Sequence, residues 1–182
     1  MKHLLSFALV VLISSNLIAQ KVYTKNGSIS FFSKSPLENI TAENNQVMSV
    51  LNTQTGEMQF SVLIKGFHFE KALMEEHFNE NYMESTKYPK ATFKGNVTDM
   101  SKVNLAKDGS YDVTVSGDLN IHGVTNKVSV PGTIVVKGGK VSANSKFIVK
   151  LADYKISVPK VVKDNIAENI EISVACTFDQ KM

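Results

Sequence analysis

The chain has 182 residues and a formal net charge of +3, with 20 basic side chains against 17 acids, and every one of those 20 is lysine. Without arginine there is no planar fork for bidentate phosphate or base contacts, which argues against nucleic acid as a partner. The single cysteine, Cys176, rules out an intrachain disulfide, so stability has to come from a hydrophobic core.

Lys2 and His3 precede a run from Leu4 to Ile13 that is apolar apart from Ser6, and Ser14-Ser15-Asn16 leads into Leu17-Ile18-Ala19-Gln20. A charged start, a short apolar core and a small residue before the cut describe a secretory signal peptide ending at Ala19. An uncleaved anchor is the alternative, but the run falls short of the roughly 20 residues a spanning helix needs. No cysteine stands near the cut to accept a lipoprotein anchor. The reading is therefore a signal peptide at 1–19 and one domain at 20–182, periplasmic or secreted and free of the membrane after cleavage.

From Lys21 to Lys34 two β-prone runs flank Asn26-Gly27, a pair that favours a tight hairpin with positive φ at both central residues. The domain is expected to open with that hairpin. Glu57 to Ile64 alternates, with Met58, Phe60, Val62 and Ile64 on one face and Gln59 and Ser61 on the other, the period of a strand buried on one side. Between Glu70 and Met83 the spacing changes: Met74, Phe78 and Tyr82 recur every four residues among Glu75, Glu76, Asn79 and Glu80. That predicts an amphipathic helix ending before Tyr88-Pro89.

Period two returns in Ala91-Phe93-Gly95-Val97, in Tyr111 to Ile121, in Val128 to Val136, in Val141 to Leu151 and in Ile170 to Phe178. A second short helical turn is expected at 160–167. Turn signals at Thr53-Gln54-Thr55-Gly56, Lys107-Asp108-Gly109-Ser110, His122-Gly123-Val124-Thr125 and Lys137-Gly138-Gly139-Lys140 join the strands as hairpins. The expected fold is all-β: an extended antiparallel, up-and-down barrel of about eight strands with one short amphipathic helix.

The inward parity collects Phe60, Val62, Phe93, Val113, Val115, Leu119, Val130, Ile134, Ala143, Phe147, Val149, Ile172, Val174 and Cys176, with Met74 and Phe78 facing the barrel from the helix. Gly95, Gly117, Gly132, Ala143 and Ser145 share that face. Small residues there either permit sharp strand coiling or leave volume for a ligand, and both readings stay open.

Three stretches resemble the YceI-like family of polyisoprenoid-binding proteins. His77-Phe-Asn-Glu-Asn-Tyr-Met-Glu-Ser-Thr-Lys-Tyr-Pro-Lys-Ala-Thr-Phe-Lys-Gly95 is similar to that family's helix, Tyr-Pro turn and following strand. Gly117-Asp-Leu-Asn-Ile-His-Gly-Val-Thr-Asn-Lys-Val128 resembles its Gly-x-Leu-x-Ile-x-Gly-Val-Thr hairpin, and Phe147-Ile-Val-Lys-Leu-Ala-Asp-Tyr-Lys-Ile156 a third segment. The resemblance as a whole covers about residues 22 to 178. The chain departs from the pattern in having Tyr23 where a Trp is common, and Lys150-Leu-Ala-Asp153 where an Arg often precedes the Asp.

The resemblance implies an extended, lipocalin-like barrel that holds a long isoprenoid or other apolar chain in a tunnel. It turns the inward set, including Met74, Phe78 and Cys176, into candidate tunnel-lining residues.

The remaining motifs carry little chemistry. His68, His77 and His122 show no metal-ligand spacing; His122 reads as a solvated turn residue and His77 as part of the helix face docked on the barrel. Cys176 reads as a small inert hydrophobe. Neither a Gly-x-Ser-x-Gly elbow nor a Gly-rich phosphate loop occurs. Lys155, Lys160 and Lys163 crowd one loop, suited to an anionic head group or simply to solvent.

The expected function is binding, carriage or sequestration of an apolar ligand, with no catalysis and no cofactor, and with homodimerisation left open. One alternative is a barrel enzyme on an apolar substrate, for which only Ser145, Tyr111 and Cys176 are inward and reactive. The other is a filled structural barrel. Export is checked directly: N-terminal sequencing of the secreted form from a bacterial host should begin at Gln20, and a retained Met1 would refute the cleavage.

Overall fold

The computed structural model describes residues 21–182, so the expected signal segment lies outside the described residues. The elements are β1 (Lys21–Lys34), β2 (Asn39–Asn52), β3 (Glu57–Leu63), β4 (His68–Phe69), α1 (Ala72–His77), β5 (Lys90–Val97), β6 (Gly109–Ile121), β7 (Val124–Lys137), β8 (Lys140–Lys150), β9 (Asn169–Phe178) and β10 (Gln180–Lys181). Each long strand pairs antiparallel with the next, and β1 pairs with both β2 and β9. The sheet therefore closes on itself as an eight-stranded up-and-down barrel of β1, β2, β3, β5, β6, β7, β8 and β9.

The expected turns are in place where backbone sterics demand them. His122 and Gly123, at φ 52° and 73°, form the two-residue β6–β7 connection, and Gly138 and Gly139, at φ 56° and 75°, the β7–β8 connection. Helix α1 runs on through a wide π-type turn, Phe78–Tyr82, and residues Lys160–Val162 form a single 3₁₀ turn.

Asn26-Gly27 does not form the expected hairpin. β1 runs straight through it, paired with β2 on both sides and shifting register at Gly27. Two constraints override the local turn preference. A hairpin there would take away the strand that β2 and β9 share, leaving two raw sheet edges. Gly27 also sits where a Cβ would lie 2.5 Å from Cys176 Sγ and 3.3 Å from Val47 Cβ, so glycine serves close approach in a bulge.

β2 is a strand that the sequence reading does not contain. Its buried positions are Ala42 and Asn44 before the register shift, then Val47, Ser49 and Leu51 after it. The bulge breaks the parity, and two of the five inward side chains are polar. Asn44 is satisfied inside: its Nδ2 donates to the Leu63 carbonyl at 2.8 Å and its Oδ1 accepts from Gln46 N–H at 2.9 Å.

The two barrel ends differ. At the end where β1 starts and β9 finishes, Val22, Leu51, Val97, Met100, Val136 and Phe178 are all buried and pack into one cluster, and the 3₁₀ turn Met100–Lys102 caps it. Full burial of each such side chain contributes roughly 1.5–3 kcal/mol, so this end is a solid floor. The opposite end holds the β1–β2 loop, α1 and the long β8–β9 connection.

The Gly27–Cys176 contact predicts a coupled pair. Gly27→Ala should destabilise the barrel by about 1–3 kcal/mol through overpacking, and Cys176→Ala in the same background should recover most of it. Urea unfolding of the two single variants and the double variant measures this coupling; strictly additive effects would show that the contact is not what excludes a side chain at 27.

Candidate ligand-binding cavity

Period two sends every second side chain inward, and near the floor these side chains meet and fill the space. Farther up they do not. Phe60, Phe93, Leu119, Val130, Phe147 and Ile172 point inward yet are only half-buried. Large apolar groups on the inside of a closed sheet keep accessible surface only where the interior is empty. The space they bound is a cavity of about 460 Å³, within the range of small-molecule sites.

Of the expected set, Phe60, Val62, Met74, Phe78, Phe93, Val113, Val115, Leu119, Val130, Ile134, Ala143, Phe147, Val149, Ile172 and Val174 line this cavity. Cys176 is not among its lining residues; it points inward but packs beneath Gly27 at the floor. The small residues divide as well. Gly132, Ala143 and Ser145 line the cavity, whereas Gly95 and Gly117 face each other across β5 and β6. A Cβ on Gly95 would stand 2.5 Å from Phe93 Cζ, so those two glycines let the strands close up beneath the Phe93 ring.

The sequence reading missed Ile29, Phe31, Ile40, Phe67 and Phe69. Ile29 and Phe31 do alternate, a signal hidden by the expected hairpin, while Phe67 caps a 3₁₀ turn and Phe69 ends a two-residue strand, too little to show a period. Their role is visible at the mouth. Phe78, from the π-type turn, has ring centroids 5.5 Å from Phe31, 5.6 Å from Phe67 and 5.0 Å from Phe69. These separations suit favourable aromatic pairing, so one helical side chain fastens the α1 segment over the barrel.

Ser33, Glu38, His77 and Asn165 are polar lining groups at this mouth. Ser33 Oγ accepts from Ala167 N–H at 2.9 Å, tying the β8–β9 connection to β1. Lys71 Nζ donates to Glu38 Oε1 at 2.8 Å, linking the start of α1 to the β1–β2 loop. That hydrogen bond holds the Glu38 carboxyl below its ordinary range and raises the Lys71 ammonium. Burial pushes the Tyr82 phenol up.

His122 is not a solvated turn residue: its side chain is only 11 % exposed. Nε2 lies 2.9 Å from Glu84 Oε2, Nδ1 lies 3.2 Å from the Tyr154 carbonyl oxygen, and the ring meets Tyr88 edge-on at 4.6 Å. The hairpin tip is drawn against two neighbouring segments, which its sequence position does not reveal. His77 lines the mouth while remaining exposed. Lys163 lies 3.5 Å from Glu168, and Lys155 and Lys160 are exposed.

The family profile of the YceI-like domain matches residues 21–178, the whole barrel. The chain belongs to the YceI-like family. Among solved structures, a polyisoprenoid binding domain from Saccharophagus degradans implicated in plant cell wall breakdown superposes with a TM-score of 0.75 at 15% identity, over 87% of this chain and 97% of that one. Burkholderia cenocepacia BcnA gives 0.67 at 16% identity over 83% and 95%. The Campylobacter jejuni YCEI protein gives 0.51 at 17% identity over 98% and 94%. At these identities the likeness is one of fold. Comparison with curated protein sequences yields no match.

Within this YceI-like barrel the three inward reactive groups do not converge. Ser145 Oγ donates to the Pro131 carbonyl at 2.6 Å. Tyr111 donates its hydroxyl to the Lys107 or Asn104 carbonyl, at 3.1 and 3.2 Å, in the β5–β6 connection. Cys176 lies in the floor, and burial pushes its thiol up to about 11. A buried neutral thiol is a poor nucleophile. A bulky thiol reagent at neutral pH should therefore label Cys176 only after denaturation, and rapid native labelling would place it elsewhere. The folded thiol keeps its proton above its ordinary value of 9.0. Stability from this group is thus complete below about pH 9 and falls as pH rises towards 11, because only the unfolded chain ionises there. Alkaline melting of wild type against Cys176→Ala should show the difference.

Proposed function

We propose that this YceI-like barrel binds a long-chain apolar ligand, an isoprenoid or similar lipid, and carries or sequesters it without catalysing a reaction. The observation that supports this reading best is the blind apolar cavity itself. Large inward side chains are left half-covered above a solid floor, and an apolar chain is the occupant that would cover them. Each CH₂ group moved from water into such a site contributes about 0.8 kcal/mol, so a long chain binds through burial with little polar chemistry.

The distribution of polarity agrees. Four polar lining groups, Ser33, Glu38, His77 and Asn165, stand where the β1–β2 loop, α1 and the β8–β9 connection meet, the place for a head group, with Lys155, Lys160 and Lys163 in the same connection. A structural neighbour with this fold is described as a polyisoprenoid binding domain. The reading carries with it export through the 1–19 segment and a periplasmic or secreted barrel. Catalysis finds no support in Ser145, Tyr111 or Cys176, each occupied in a separate structural contact.

Ala143 tests the proposal, since it lines the cavity at the level of Ile134. Adding bulk to a filled core typically costs about 1–3 kcal/mol, whereas adding it to a hollow displaces the ligand instead. Ala143→Leu should lose co-purifying lipid, read by extraction and mass spectrometry, while the ligand-free protein melts close to wild type. Unchanged lipid content, or a wild type that takes up no isoprenoid lipid at all, would count against it.

A further inference from the structure

The barrel wall is parted along one seam. β7 pairs with β6 from Ile121↔Val124 to Gly109↔Val136, and β8 with β9 from Lys150↔Asn169 to Val141↔Phe178. The β7–β8 ladder, however, runs only from Lys137↔Lys140 to Gly132↔Ser145. Above that pair, residues 124–131 of β7 and 146–150 of β8 have no ladder between them among the described residues. Unpaired edges inside an otherwise continuous barrel are costly, so the parting calls for a reason.

The residues at the fork suit it. Pro131 has no N–H to offer a neighbouring strand, and its carbonyl is taken by the Ser145 hydroxyl. At the upper end the gap is crossed again where Asn126 Nδ2 donates to the Asp153 carbonyl at 2.8 Å. The frame so formed is flanked by Val128 and Val130 on one side and Phe147 and Val149 on the other, all four of which line the cavity. At the fork the outer face carries a depression lined by Pro131, Thr133, Asn144 and Lys146. On the outer lip Ile148 is 59 % exposed between two lysines.

The floor gives the seam its meaning. Leu51, Val97, Val136 and Phe178 close the lower end, so a chain longer than the cavity, with its head group at the mouth, has either to double back or to leave through the wall. We infer that the β7–β8 seam is a side exit, through which the tail of a long-chain isoprenoid-like ligand leaves the barrel and lies against Ile148. This rests on the binding function proposed above.

The protein has no tryptophan, so Ile148→Trp places a sole indole on the outer lip. Gln59→Trp places one on exposed β3, across the barrel from the seam. Polyprenyl alcohols brominated at the terminal end of the chain, one short and one long, are titrated into each variant. Displacement of the dye anilinonaphthalene sulfonate from the cavity is read in parallel. The expected result is that both alcohols displace the dye, the long one alone removes most of the Ile148→Trp emission, and neither dims Gln59→Trp. Displacement by the long alcohol without quenching at 148, or equal quenching at 59, overturns the side exit and leaves binding intact. Failure of both alcohols to displace the dye rejects the binding reading and the exit with it.

Discussion

The structure depends on β1 pairing on both of its edges. Its partners β2 and β9 are the neighbours that turn a meander into a ring, and closure is the only arrangement that leaves an antiparallel sheet without raw edges. Once the ring is closed, the alternation of each strand has a fixed meaning, because one parity faces solvent and the other a bounded interior. The bulge at Gly27 is what keeps β1 in register with both neighbours. A local turn signal yields there because ladder hydrogen bonds on two sides outweigh the preference of one dipeptide.

Closure bounds the interior but does not fill it. At the floor, buried Leu51, Val97, Val136 and Phe178 meet across the ring with help from the Met100–Lys102 turn. Above, the same strands carry equally large residues that do not reach one another, and Gly132, Ala143 and Ser145 withdraw further bulk from the β7–β8 side. Hollow and solid parts thus come from one alternating pattern, and the difference lies in what stands opposite each side chain.

The mouth is held in another way. Phe78 packs among Phe31, Phe67 and Phe69, while the loops around it are joined by a few polar contacts: Glu38 with Lys71, Ser33 with Ala167, Leu37 with Asp164, and His122 with Glu84 and Tyr154. Regions held by few and partly exposed hydrogen bonds open at lower free energy than packed cores. Local opening is therefore cheapest at the mouth, where the ligand of the proposed function would pass, and the floor stays shut.

The sequence by itself determined the strands whose alternation is clean, the α1 segment, the Gly-Gly and His-Gly turns, and an inward set of which fifteen residues line the cavity. Those features are local: a period of two or near four follows from backbone geometry and one-sided burial, whatever the rest of the chain does. β2 was not legible, because its inward face includes Asn44 and Ser49 and changes parity at the bulge. Nor was the burial of His122, whose partners Glu84 and Tyr154 lie 38 and 32 residues away. Tertiary structure alone decided that Gly95 and Gly117 serve close strand approach while Ala143 faces a hollow, that Cys176 belongs to the floor, and that β7 and β8 part above Gly132. In each case the outcome depends on what lies across the barrel from a residue, a distance that no spacing along the chain encodes.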